Sequence, residues 1–407
     1  MAATKIKGKL ALASCTLLAP AVEALEAIEN DWEVNGSFLT YRENDRVNID
    51  KFIAQVDGRV TEEDSVKVKV VLDSMTGATP TGAVRTSEVV AVSGVSGGGI
   101  NVDGQASSLA NFSDTRLAGN LDWTRELSRL SRLTLGTALS VETDYVSVGG
   151  SIKYDRDTSN RLRTYTVGLS FNRDEIDGAG GGTPDPLSEV TEGLILDTGD
   201  RDTFDIMAGV TQIFNPRTIG QFNLFATYSD GYHTDPYKVI SAANAFDVEL
   251  ERYYESRPSE RMRYGFYSKV AHHLQNENTI HLSYRYYQDD WEVNSHTVDF
   301  TYRFNFDNNT YFEPHARFYK QSAAEFYQRT LALNEFNQLV DLPEFVSADY
   351  RLDDFFSYTV GGKYGRLVNE RTELSARLEY MHQEFRDSVF SQNTAIWLQL
   401  TASVKFF

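Results

Sequence analysis

Charged side chains recurring at every second position are the feature of this chain most able to do chemistry. Lys67, Lys69, Arg116, Arg132, Lys153, Arg263, Lys269, Arg285, Arg303, Arg317, Lys363 and Arg377 share an alternating polar phase with Asp57, Asp73, Asp122, Glu142, Asp205, Asp299, Glu313, Glu373 and Glu379. A wet interior solvates such groups, whereas a basic side chain facing lipid near the midplane costs about 2 to 4 kcal/mol. The stretch richest in basic residues sets Arg263, Lys269, Arg285, Arg303 and Arg317 against Asp299 and Glu313. It predicts either a constriction that favours anions or seats an acidic loop, or a salt-bridged network that stiffens a wall.

Other chemistries are weaker. Segment 174–202 carries nine acidic residues against Arg201 alone, with a flexible Gly180-Gly181-Gly182 run. Its oxygens suit calcium, but Asp197-Thr198-Gly199-Asp200-Arg201-Asp202 lacks the spacing and terminal Glu of an EF-hand, and a solvated acidic loop is the plainer reading. His281 with Ser283, and His315 near Glu313, supply the residue types of a Ser–His hydrolase without a nucleophile elbow or triad spacing. The run from Gly94 to Gly99 lacks the Lys-Ser or Lys-Thr of a phosphate-binding loop. No catalytic residue, cofactor or metal is predicted beyond the calcium alternative. A formal charge of -19 argues against nucleic-acid binding, which needs a basic surface.

The elements that position these groups begin with an export signal. Lys5, Lys7 and Lys9 precede a short apolar stretch from Leu10 to Val22, and Ala24 is a small residue at the expected cleavage point, with Ala27 competing. Removing residues 1–24 takes the charge to about -21 and removes Cys15, the single cysteine. The mature chain then has no cysteine for a disulfide, an iron–sulfur cluster or c-type haem attachment. A lipoprotein reading of Leu12-Ala13-Ser14-Cys15 leaves too short an apolar core after Lys9.

Beyond the signal, no run of 18 to 20 apolar residues suggests a membrane helix. Alternation with period two recurs instead. Val66, Val68, Val70 and Leu72 oppose Lys67, Lys69 and Asp73; Tyr165, Val167, Leu169 and Phe171 oppose Thr166, Gly168 and Ser170; Val298, Phe300, Tyr302 and Phe304 oppose Asp299, Thr301, Arg303 and Asn305. This predicts an all-β transmembrane antiparallel barrel in residues 25–407, with sixteen strands near 31–41, 49–60, 64–73, 115–125, 132–142, 145–154, 162–172, 203–214, 219–229, 262–273, 279–287, 295–306, 310–321, 350–364, 371–382 and 394–407. Fourteen or eighteen strands are the alternatives. All four long connections, 74–114, 173–202, 230–261 and 322–349, fall on one side, the expected asymmetry of short periplasmic turns and long extracellular loops with both termini periplasmic. Phe407 is a candidate insertion signal, although it lies out of phase with Ile396 to Phe406. Trp32, Trp123, Tyr154, Tyr228, Trp291 and Trp397 are candidates for interfacial belts.

Three phrases stand apart: Leu72-Asp73-Ser74-Met75-Thr76-Gly77-Ala78-Thr79-Pro80, Gly231-Tyr232-His233-Thr234-Asp235-Pro236-Tyr237-Lys238 and Tyr284-Arg285-Tyr286-Tyr287-Gln288-Asp289-Asp290-Trp291. Asp73, Thr76, Gly77 and Thr79 are expected to end a strand and turn a loop inward, Tyr232, Asp235 and Tyr237 to lock the 230–261 loop, and Asp289 and Asp290 to turn between strands while Trp291 anchors at the rim; loop recognition is the competing reading. Across nearly the whole mature chain these phrases resemble an uncharacterised family of Gram-negative outer-membrane proteins. The resemblance implies an outer-membrane barrel among lipid and lipopolysaccharide, placed by the barrel-insertion machinery. Genes for a small lipoprotein, a thioredoxin-like protein and a flavin-attaching enzyme near those of the family imply an extracytoplasmic redox setting. The expected function is a pore with a charged lumen; a scaffold for a periplasmic or extracellular redox partner is the alternative, and a hydrolase the weaker one.

Overall fold

The computed structural model describes residues 32–44, 46–83, 92–93, 99–100, 109–178, 181–244 and 249–406. The expected export signal, most of the Gly94–Gly99 run, Gly180 and Phe407 lie outside them. Sixteen antiparallel strands close into one barrel. They are β1 Trp32–Glu43, β2 Val47–Arg59, β3 Asp64–Pro80, β4 Leu109–Ser128, β5 Ser131–Glu142, β6 Tyr145–Asp157, β7 Arg163–Ile176, β8 Gly199–Asn215, β9 Thr218–Gly231, β10 Glu260–His273, β11 Thr279–Asp289, β12 Asn294–Asn305, β13 Thr310–Gln321, β14 Phe355–Asn369, β15 Thr372–Phe385 and β16 Gln392–Phe406. Closure is made by β1 against β16, in register from Trp32↔Phe406 to Glu43↔Ala395. Lipid offers no partner for backbone N–H and C=O groups, so a spanning sheet is stable only without an open edge.

The alternation assigns the two faces. Phe52, Leu117, Leu135, Val167, Leu224, Val298 and Leu398 lie outward and exposed, forming the apolar band a bilayer covers. All the charged residues of the predicted polar phase project inward. Two belt candidates are corrected: Trp397 alternates with outward Ile396 and Leu398 and therefore faces the lumen beside Tyr41, ring centroids 5.9 Å apart. Trp291 is 3% exposed and packs inside, away from any membrane rim.

Strand limits also shift from the sequence reading. β3 continues to Pro80 because β4 begins at Leu109 and pairs with it residue for residue. β14 starts at Phe355, five residues later than expected, because Asp349 caps a 3₁₀ turn at Tyr350–Leu352 by accepting from the Arg351 N–H.

The long connections gather at one end of the barrel. There, Val239–Ala243 pairs antiparallel with Glu249–Tyr254 and parallel with Leu331–Ala332. Ile240, Ala242, Tyr253, Leu331, Val346 and Ala348 form a small apolar core between the 232–259 and 322–354 loops. A second core joins Trp291 and Val293 to Ala324, Phe326 and Leu352. Tyr237 reaches the inner wall, packing on Val47, Met75 and Phe112. These loops thus form a plug in the barrel mouth, with burial of the kind found in a small domain core.

Candidate functional site

Beneath the plug lies a chamber of about 440 Å³. One wall, from β5 to β8, presents small polar groups including Ser140, Ser147, Ser151, Asn172 and Thr203; glycines at 136 and 149 keep it recessed. The opposite wall, from β10 to β13, presents Arg261, Arg263, Arg285, Tyr287 and Tyr319, and the plug contributes His233, Arg257, Asp349, Arg351 and Leu352. Seven arginines face four aspartates in this lining.

Register explains how the arginine wall is built. Met207, Phe225, Gly265 and Tyr287 lie side by side on β8 to β11. A side chain at Gly265 would overlap the Phe225 ring, so glycine leaves that ring flat across the wall. The Arg285 guanidinium sits 5.1 Å from the Phe225 centroid. One register step towards the mouth, Arg263 pairs in the ladder with Asp289. Asp289 is nevertheless spent on other groups: Arg261 ion-pairs with it, Tyr287 donates at 2.6 Å, and the N–H groups of Trp291 and Val293 donate at 3.1 and 2.9 Å. This carboxylate makes the β11–β12 turn, while Asp290 accepts from the Met262 N–H at 2.9 Å. Trp291 is drawn inward over Arg261, 3.9 Å from its guanidinium carbon, with Phe326 against its ring at 5.1 Å.

The predicted basic cluster divides. Arg303 pairs with Glu313 at 2.9 Å and Arg317 with Asp299 at 2.7 Å. His315 bridges Asp299 and Glu379 at 3.0 Å each, and Arg377 adds a contact to Glu379 at 3.2 Å. This half stiffens the wall. Arg263 and Lys269 form no ion pair among the described residues. Asp73, from the first phrase, holds Arg116 at 2.6 Å and Lys51 at 3.5 Å.

The phrase residues at the mouth converge on a buried network. Thr76 and Gly77 lie near the end of β3, with Gly77 at φ +128° where an added Cβ would overlap the Arg46 carbonyl oxygen. Thr79 accepts from Lys238 at 3.4 Å, and the Pro80 carbonyl accepts from the same ammonium. Asp235 pairs with Arg351 at 3.1 Å and accepts from the Tyr237 N–H, while Tyr237 donates to Asp144 at 2.5 Å. Tyr232 covers Gly199. Glu255 and Asp349 hold Arg257 at 2.7 and 2.9 Å. Burial pushes the Lys238 ammonium down and the Glu255 carboxyl up.

Sequence reasoning missed three groupings, one joining the end of a strand to the loop that follows it and two joining residues from different strands and turns. Ser229 and His233 are 2.8 Å apart, with the other ring nitrogen of His233 3.0 Å from the Gly231 carbonyl. His315, named only as a neighbour of Glu313, sits between two carboxylates. Buried Asp114, Glu142 and Asp144 bring ligand atoms within 4.8 Å of one another, the one such acidic group among the described residues and an oxygen set a hard cation accepts. In the acidic segment, Asp174 is instead paired with Arg201, and Asp200 and Asp202 with Arg173.

A family model described as "Protein of unknown function (DUF3570)" matches residues 7–404. No curated protein matches the chain. Among solved structures, a CymD monoaromatic hydrocarbon channel is similar at 9% identity and TM-score 0.44, over 97% of this chain and 93% of that one. A bacterial polysaccharide outer membrane secretin is similar at 9% identity and TM-score 0.43, over 93% and 98%. The outer membrane protein opdK from Pseudomonas aeruginosa is similar at 8% identity and TM-score 0.43, over 93% and 99%.

Proposed function

The chain belongs to the DUF3570 family, whose description carries no activity, so we propose a function on the barrel's own geometry: an outer-membrane pore that favours small anions. Residues 1–24 serve as its export signal, the plugged end faces outward, and both mature termini are periplasmic. The observation that carries this reading is the chamber lining, where seven arginines stand with four aspartates and, although five of the seven are ion-paired, Arg263 has no carboxylate partner among the described residues. Low-dielectric walls focus such an excess and raise the local concentration of anions. The plug narrows entry, so conductance is expected in brief openings. Reversal potentials of the purified barrel in a planar bilayer, under a potassium chloride gradient, are expected to show chloride preferred. Absence of any current, both from the native protein and from a variant with a loosened plug, would sink the pore.

A scaffold for an extracytoplasmic redox partner is the second reading. It is favoured by apolar side chains left exposed on the loops at the mouth: Leu194, Ile195 and Leu196 before β8, Leu250, and above all Phe336 at 81% and Val340 at 68%. Cross-linking from position 336 in intact cells is expected to capture a partner under this reading, and capture of lipopolysaccharide alone would remove it.

A further inference from the structure

Arg257 and Arg263 both line the chamber with a buried Nε that has no partner, but Glu255 and Asp349 hold the Arg257 guanidinium while no carboxylate among the described residues holds that of Arg263. Arg263 is 7% exposed and lines the chamber. Its Nη2 donates to Ser229 Oγ at 3.1 Å, and its buried Nε has no partner. The neighbouring arginines are neutralised differently: Arg116 by Asp73, Arg201 by Asp174, Arg261 by Asp289, Arg257 and Arg351 by Asp349. Neither nearby carboxylate forms an ion pair with Arg263: Asp205 accepts from Ser170 at 2.9 Å and Thr227 at 2.5 Å, while Asp289 holds Arg261 and the β11–β12 turn.

A buried guanidinium with an unused donor is costly unless a counter-charge completes it. The guanidinium fork of an arginine matches the two oxygens of a carboxylate. Ser229 holds that guanidinium in place: its buried hydroxyl lies between Arg263 and His233 Nε2. Tyr287 and Tyr319 line the same side, supplying aromatic surface beside an apolar body attached to that carboxylate. The volume of about 440 Å³ is that of a small-molecule site.

We infer that the lumen chamber binds a small organic carboxylate with an apolar body, anchored by Arg263 and flanked by Ser229 and Tyr287. The inference rests on the pore reading only in that the ligand must reach the chamber through the lumen.

The test is calorimetric titration of the full barrel, in detergent, with benzoate, with its neutral counterpart benzamide, and with inorganic phosphate. Benzoate is expected to bind saturably, and benzamide and phosphate more weakly by about tenfold or more, the scale of charge-assisted hydrogen bonding. Arg263→Gln is expected to lose benzoate binding by a similar factor, and Arg263→Lys, which keeps the charge without the fork, to recover only part of it. Heat-modifiable electrophoretic mobility identifies variants that still fold; if R263Q does not fold, the native titrations and R263K decide. Equal binding of benzoate and benzamide overturns the inference, as does phosphate binding as tight as benzoate, or native affinity in a folded R263Q. Bilayer current without benzoate binding leaves the pore and removes the site; benzoate binding without current leaves the site and removes the pore.

Discussion

Replacing Asp349 by alanine is expected to release the plug while leaving the barrel folded. The carboxylate is 1% exposed and takes Arg257 Nη2 at 2.9 Å, Arg351 Nε at 2.7 Å and the Arg351 N–H at 3.1 Å. Burial pushes its carboxyl up, but the charges of Arg351, Lys238 and Arg257 outweigh that and hold it well below the usual range. Around it, Asp235, Glu255 and Asp349 balance Lys238, Arg257 and Arg351, so D349A leaves one uncompensated positive charge in a buried cluster. Breaking a buried pair costs about 3 to 5 kcal/mol. Arg257 keeps Glu255 and Arg351 keeps Asp235, which places the loss at the lower end, about 3 kcal/mol or roughly two decades in the docked population. Limited proteolysis within 232–259 and 322–354 reads that population when reclosing is faster than cleavage. D349A, and D349N with its near-native shape, are expected to be cut roughly a hundredfold faster, with the strands protected. Native cleavage rates in a folded D349A would refute the reasoning.

Acid is expected to loosen the same plug through His233. Burial, with the charge of Arg201 behind it, lowers His233 to about 3, so docking favours the neutral ring. That contribution is complete above the unfolded value near 6.5 and is lost as pH falls from there towards 3, by about 1.4 kcal/mol per unit. Loop cleavage should therefore accelerate roughly tenfold between about pH 7.5 and 5.5, and His233→Gln should flatten this rise; Asp349, whose folded value is depressed, changes the balance only below about pH 4. Trp291→Ala removes the ring between Arg261, Phe326 and His233 and should cost about 3 to 5 kcal/mol of plug stability, seen as faster loop cleavage at unchanged barrel melting. Gly77→Ala should lower the barrel's melting temperature, since φ +128° and the Arg46 carbonyl leave no place for a Cβ, a strain of about 1 to 3 kcal/mol before the overlap is counted. Gly36→Ala, with nothing within 4 Å of the added atom, should melt near the native temperature.

The barrel was legible in the sequence because its rule is local. A strand of a lipid-facing barrel must show an apolar residue outward at every second position, so Val298, Phe300 and Phe304 against Asp299 and Arg303 reveal both the strand and its wet face. The need to pair every backbone group then dictates closure, and counting strands determines which connections share an end. The same rule, applied consistently, would have turned Trp397 inward, since Ile396 and Leu398 already claimed the outer phase.

What each inward charge meets was decided only by the tertiary structure. Lys238 donates to the Pro80 carbonyl across 158 residues, Arg257 reaches Asp349 across 92, and His315 meets Glu379 across 64. No local pattern encodes such meetings, because they depend on strand register and on how loops fold back into the mouth. Arg263 and Arg303 look alike in the sequence, each basic and each in the inward phase. Register gives Arg303 a carboxylate at 2.9 Å and leaves Arg263 with a hydroxyl and an unused Nε. Alternation alone therefore established the barrel and its charged interior, while three-dimensional pairing separated the charges that brace the wall, such as Arg303, from those without a carboxylate partner, such as Arg263.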